Sequence, residues 1–301
     1  MTGDIRDYAK TGLVHHMLFP DCSEDANYHL RTLQDFVKRR DIETLDCCLP
    51  LNGCSQEAIS AVRECGKTVC FAIHFYPLRT VPLAARTPDQ HRRTWQVIDD
   101  MILQAAAIGA EGFIFGPGIP SFHEAGPEDF AAFDRFCREL CAKLQPHGMD
   151  ALMEPFDTDI DKKFLYGPVS DCVELAARIT EDYPNFGLEL DVAHLPLMHE
   201  DASAAIAKSA PFLKRIHLGN CMLKDRKHPR WGDTHPPIGF PGGEIDTPQL
   251  VPILRTLLDC GFLNRRKRGN LVLEMTPFPG RSVNETIADS WRRLEAAWKR
   301  V

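Results

Sequence analysis

One pattern constrains this chain more than any other: short, nearly unbroken apolar runs trade places with amphipathic stretches of helical period, eight times from end to end. Residues 12–19, 42–49, 68–76, 112–115, 150–154, 186–191, 213–218 and 271–275 read as strands. Each is followed by a helical stretch, at 25–40, 55–65, 88–108, 128–144, 169–179, 203–210, 247–260 and 283–299. In the fourth of these, Phe130, Phe133, Phe136, Cys137, Leu140 and Leu144 share one stripe. Gly66, Gly109, Gly148 and Gly261 stand where helices hand over to strands, as C-terminal caps should. Unbroken apolar strands are those buried on both faces of a parallel sheet. Eight strand–helix units in series predict an α/β protein built as one closed (β/α)8 barrel, with residues 1–301 forming a single domain. The competing doubly wound sheet is disfavoured, because no glycine-rich phosphate loop follows the first strand.

Composition narrows the class of partner. The net charge of −7 argues against nucleic acid and against a membrane surface. No apolar run approaches the ~20 residues that cross a bilayer, and the start MTGDIRDYAK lacks the positive segment of a secretory signal. The eleven cysteines are odd in number with no C-x-x-C pair, so reduced core thiols are expected rather than a disulfide framework or a structural zinc site. A cytoplasmic protein acting on a small molecule is the expectation.

Active sites of such barrels lie at the C-terminal ends of the strands. Strand five ends in Leu152-Met153-Glu154, strand six in Glu189-Leu190-Asp191 with His194 three residues on, strand seven carries Arg215-Ile216-His217, and strand eight ends in Leu273-Glu274. Any one of these residues alone reads as easily as a salt-bridge partner or a hydrogen-bonded core histidine. Together, three carboxylates at one mouth would repel one another unless a cation neutralised them. Glu154, Asp191, His217 and Glu274 form a mixed oxygen and nitrogen set suited to one divalent ion, Mn2+ foremost, with Mg2+, Co2+ or Zn2+ also compatible.

These residues, each at a strand end, resemble the xylose isomerase-like TIM-barrel superfamily, which includes sugar isomerases and epimerases, inosose dehydratases and endonuclease IV-type enzymes. The resemblance implies that Glu154, Asp191, His217 and Glu274 bind one divalent metal, that Glu154 and Glu274 are the catalytic acid and base, and that His194 contacts substrate. A second segment, Gly232-Asp233-Thr234-His235 through Gly239 to Asp246, is similar to the D-x-H-x-x-I-G-x-G stretch in which endonuclease IV binds an additional zinc. His74, at the end of strand three, fits that set too. Strand four, however, ends in Phe115-Gly116-Pro117-Gly118 without the matching histidine, which speaks against phosphodiester cleavage. Asp233 and His235 are therefore expected to bind sugar hydroxyls or to hold the metal ligands in place, and His74 and Lys224 to contact substrate. Lys224 and Arg226 lie near the position at which ketose 3-epimerases carry an arginine, where this chain has Leu223.

The chemistry these residues point to is metal-assisted proton abstraction beside a carbonyl, through an ene-diolate whose charge sits on the ion, giving a sugar epimerase or isomerase. Elimination from the same intermediate makes a dehydratase or a lyase on 3-keto-glycosides the nearest rival, the long loop 219–246 with His228 and His235 supplying the acid. A zinc phosphodiesterase and a catalytically silent sugar-binding barrel are more distant rivals. The partner is a carbohydrate, and a homo-oligomer or a small partner subunit is compatible with the family. Of His15 and His16, at the end of strand one, one is expected to face the pocket. Arg265-Arg266-Lys267-Arg268 reads as a solvated turn at the opposite end, and Cys137 and Cys141 as core.

Overall fold

The computed structural model describes residues 3–50, 53–73 and 75–301. Eight parallel strands close into a barrel in chain order. They are β1 (Ala9–Val14), β2 (Thr44–Cys47), β3 (Thr68–Ala72), β4 (Gly112–Phe115), β5 (Asp150–Met153), β6 (Phe186–Asp191), β7 (Leu213–Leu218) and β8 (Gly269–Leu273). The ring closes where β1 pairs with β8, from Ala9 beside Gly269 to Leu13 beside Leu273. The connecting helices are α1 (His15–Leu18), α2 (Ala26–Phe36), α3 (Gln56–Arg63), α4 (Phe75–Thr80), α5 (Pro88–Ala107), α6 (Pro127–Leu144), α7 (Val169–Thr180), α8 (His194–Leu197), α9 (Ala202–Ser209), α10 (Thr247–Asp259) and α11 (Val283–Trp298).

Local chemistry sets these boundaries. Thr87 and Gln90 close a reciprocal capping box at the start of α5, and Ser282 and Glu285 do the same for α11. The four glycines expected to stop helices all have φ between +68° and +76°. On α6, Phe133, Phe136, Cys137, Leu140 and Leu144 are buried against the barrel, while Phe130 is only partly covered. All eleven cysteines are free thiols.

Among the boundaries that differ from expectation, three have a clear local reason. The first strand stops at Val14, because the chain turns at once into α1. The third stops at Ala72, and α4 occupies part of what reads as a loop. The eighth starts two residues early, at Gly269, because that glycine pairs with Ala9. The stretch after β7 holds no regular helix until α10; it is pinned by a bridge between Met222 and Gly232.

The barrel interior is more polar than its apolar strands suggest. Alternate residues of a strand point inward, so the residue two before each strand-end side chain lies one layer deeper. Arg215 of β7 is 1% exposed and reaches across the barrel to Asp46 and Thr44 of β2. Cys70, Ala72, Ile114 and Leu152 form a small apolar cluster apart from the main core between strands and helices. Among the described residues, no helix is long and apolar enough to cross a membrane.

Candidate metal centre and active site

β5, β6, β7 and β8 each deliver one side chain to the mouth of the barrel, and ligand atoms of Glu154, Asp191, His217 and Glu274 all lie within 4.8 Å of one another. Asp191 closes β6. Its Oδ1 accepts the backbone N–H groups of Ala193 at 2.8 Å and Gly219 at 3.0 Å, which leaves Oδ2 buried without a hydrogen-bond partner. Only glycine fits at 219, since a Cβ there would stand 2.7 Å from both carboxylate oxygens. Gly219→Ala should therefore push Asp191 out of register and weaken divalent-ion binding by at least about tenfold, measured by competition with a chromogenic chelator.

His217 is held from both sides. Its Nδ1 lies 2.6 Å from Glu274 Oε2 and its Nε2 lies 2.7 Å from Asp46 Oδ2. Asp46 is in turn bound by Arg215, whose Nε donates at 2.8 Å and whose Nη2 also reaches Thr44 Oγ1 at 2.6 Å. Glu189, inward-facing on β6, accepts the His217 backbone N–H at 3.1 Å. The Asp46 contact keeps a proton on Nε2, so Nδ1 is the ring nitrogen offered to the donor group. Asp46→Asn should lower affinity for a divalent ion by about 10–100-fold, the same competition assay reading it out.

Beside this group stands another. Asp191, His194 and His235 also bring donor atoms within 4.8 Å of one another. His194 donates from Nδ1 to the Pro155 carbonyl at 2.9 Å, and its Nε2 lies 3.3 Å from Asp233 Oδ2. His235 Nε2 is 2.9 Å from Asp233 Oδ1. His235 has φ +46°, a left-handed conformation uncommon outside glycine and characteristic of functional positions. Asp233 is brought in by its own backbone N–H, which donates to Asp161 Oδ2 at 2.8 Å. That approach requires Gly232 at φ +94°, because a Cβ there would lie 2.9 Å from the same oxygen.

The electrostatics follow from crowding. Burial raises Glu154 well above the carboxylate range, and the neighbouring Glu189 and Glu274 raise it further. Burial likewise lifts Glu189 to about 8 and raises Asp191. Burial would also raise Glu274, but the His235 and His217 imidazoles more than reverse this and hold it low. For His194 and His235, burial pulls downward, but the neighbouring carboxylates, Asp233 foremost and Asp191 with it, together outweigh it and raise them to about 9 and about 10. Burial opposes ionisation of Asp233 as well, yet the two imidazoles hold it well below its ordinary value.

Residues of both groups line a cavity of about 520 Å³. Glu154, His194, His217, Asp233, His235 and Glu274 line it, together with Lys162, Arg79 and His16, and Leu78, Ile114, Phe115 and Phe156 supply its apolar lining. Of the first histidine pair, His16 faces this cavity, whereas His15 is buried among Phe19, His29 and Phe36. Lys224, a candidate for substrate contact, is not among the lining residues: its side chain is 60% exposed and bound to the Gly243 carbonyl and Glu244. His228 does not line the cavity either; its Nδ1 accepts the Arg230 N–H. His74 lies outside the described residues. Arg268 sits at the other end of the barrel, on Glu43 and the Ala9 carbonyl.

Sequence reasoning passed over Asp46, Glu189 and Lys162. The signal was present: Glu189 and Arg215 each stand two residues before a strand-end donor, and Asp46 is a lone charge in an apolar strand. In a period-two element such a charge points to the same face as the donor.

The profile of the family described as xylose isomerase-like TIM barrel matches residues 49–277. No curated protein matches the chain by sequence. Among solved structures, a D-tagatose 3-epimerase-like protein superposes with a TM-score of 0.69 at 14% identity, covering 97% of this chain and 99% of that one. D-psicose 3-epimerase from Clostridium cellulolyticum H10, in a structure with D-tagatose, gives a TM-score of 0.64 at 16% identity, covering 97% of each. A family 2 AP endonuclease from Brucella melitensis gives 0.64 at 17%, covering 92% of this chain and 96% of that one. At these identities the structures speak for a common fold, while the extent of the profile match makes the chain a member of the xylose isomerase-like TIM-barrel family.

Proposed function

We propose that the chain is a divalent-metal-dependent sugar epimerase or isomerase that moves a proton on the carbon next to a carbonyl. The observation that carries this reading is the convergence of Glu154, Asp191, His217 and Glu274 from four strands. The residues suit a cation: Asp191 Oδ2 and Glu189 Oε2 are buried without hydrogen-bond partners, and three carboxylates with one imidazole favour Mn2+, with Mg2+, Co2+ or Zn2+ also compatible. Such an ion supplies Lewis acidity to the substrate carbonyl.

The remaining work falls to the chain. Glu154 and Glu274 follow β5 and β8 and both line the cavity. One carboxylate takes the proton from carbon and the other returns one to the opposite face, which inverts the centre; a single carboxylate doing both moves the carbonyl instead. The ene-diolate formed between the two steps needs water kept away. Phe156, its ring centroid 4.3 Å from that of His194, lines the cavity with Ile114 and Phe115 and supplies apolar surface beside the donors. His194 is fixed through Nδ1, so its Nε2 edge is turned toward Asp233 and the substrate. His235 and Asp233 add polar edges for hydroxyl groups. A cavity of about 520 Å³ suits a small carbohydrate. Two structural neighbours are described as a 3-epimerase and a 3-epimerase-like protein of simple ketoses.

The test is a panel of ketoses and 3-keto-sugars incubated with the Mn2+-loaded enzyme in deuterated water. Solvent deuterium entering carbon with no loss of a group supports the reading. Release of water or aglycone would move the chain to the lyases, and no exchange on any member of the panel would remove the proton-transfer chemistry.

A further inference from the structure

The donor set Asp191, His194 and His235, with Asp233 at its edge, is one that a second divalent ion takes readily. Asp191 Oδ2, His194 Nε2 and His235 Nδ1 are buried there without hydrogen-bond partners. Yet a positive charge is already built in. Lys162 Nζ lies 3.1 Å from Asp233 Oδ2, 3.0 Å from the Asp233 carbonyl oxygen and 3.1 Å from Asp161 Oδ2. This is no wandering surface side chain. The Asp157 carboxylate accepts the backbone N–H groups of Ile160, Asp161 and Lys162 at 2.7, 2.7 and 2.9 Å, which ties down the turn that carries it. Asp161 joins that turn to Asp233 by accepting the Asp233 backbone N–H.

We propose that the Lys162 ammonium stands in for a second divalent cation, so that the two adjoining donor sets together hold one divalent ion rather than two. The inference rests on the reading of Glu154, Asp191, His217 and Glu274 as a metal site. An ammonium on Asp233 neutralises the carboxylate that a second ion would need, and repels any ion seated between His194 and His235. The chemical consequence is a choice of reaction. Two ions about 3.5–4 Å apart stabilise both oxygens of an in-line displacement at phosphorus, whereas one ion beside a carbonyl suits proton transfer. Lys162 thus biases the mouth of this barrel away from phosphodiesters and toward keto-sugars.

Metal counting tests this without activity. Chelator-stripped chain is equilibrated by dialysis against Mn2+, and separately against Zn2+, and bound metal is determined per chain. One ion is expected for the unmodified protein and for Lys162→Arg, which keeps the charge. Two are expected for Lys162→Met, the second bound about 100-fold more tightly than any second ion in the unmodified chain. Lys162→Gln, closer in polarity, provides the same count if the Met variant does not fold. Two ions on the unmodified protein would overturn the inference while leaving the metal site intact. One ion on both charge-removing variants would overturn it as well. No ion on the unmodified protein would instead refute the metal-site reading, and the inference with it.

Discussion

Glu274→Gln is expected to lower turnover of a keto-sugar by about 10²–10⁴-fold at saturating divalent ion, with circular dichroism and thermal unfolding close to those of the unmodified chain. Gln keeps the shape, and its amide NH2 group can donate to the His217 Nδ1 that lies 2.6 Å from Glu274 Oε2, but an amide takes no proton from carbon. The variant also separates the two modes of proton transfer. If Glu154 and Glu274 serve opposite faces, the Gln variant still exchanges solvent deuterium into one epimer without converting it to the other. If a single carboxylate does both steps, exchange and conversion disappear together or survive together. A variant with full turnover and full exchange would strip Glu274 of any role in proton transfer. Saturating ion matters to the design, because Glu274 belongs to the donor group and its loss weakens binding too.

Arg215→Met carries the largest expected effect on stability. The guanidinium is 1% exposed and is the charge partner of Asp46, which is fully buried. Removing it leaves an uncompensated carboxylate in the barrel interior, which typically costs about 3–5 kcal/mol. Against a total stability of about 5–15 kcal/mol for a folded protein, that is a large fraction, readable as a shift of the urea midpoint with unchanged slope. The double variant Asp46→Leu/Arg215→Met should recover much of the loss, since a buried ion pair replaced whole by apolar side chains is often neutral or stabilising. The recovered stability should come with weaker metal binding, because Asp46→Leu removes the acceptor of His217 Nε2. A single variant as stable as the unmodified chain would show that Asp46 finds compensation elsewhere.

The barrel is legible in the sequence because its strands must be apolar on the face that meets the helices, and eight such runs leave little room for another topology. The four donors are legible for a related reason: a charge at the end of an apolar run, in unit after unit, has no solvent to serve. Asp46, Glu189 and Lys162 are harder. Asp46 acts across the barrel, from β2 on Arg215 and His217 of β7, a partnership between strands that are neighbours neither in sequence nor in the sheet, while Glu189 acts on the adjoining strand through the His217 backbone N–H. Lys162 depends on a turn built by Asp157, whose three backbone bonds leave no periodic signature. Lys224 shows the limit from the other side, since proximity along the chain to His217 says nothing about which way a loop of this length presents its side chains.

The layer beneath the mouth has a consequence for how such a chain can change over generations. Asp46 fastens Arg215 on one side and His217 on the other, so a mutation at that one position is felt both by the persistence of the folded state and by the chemistry above it. New specificities should therefore arise from the apolar lining at Leu78 and Ile114, where a side chain can be exchanged without disturbing the ionic floor, and seldom from the strands that carry the donors.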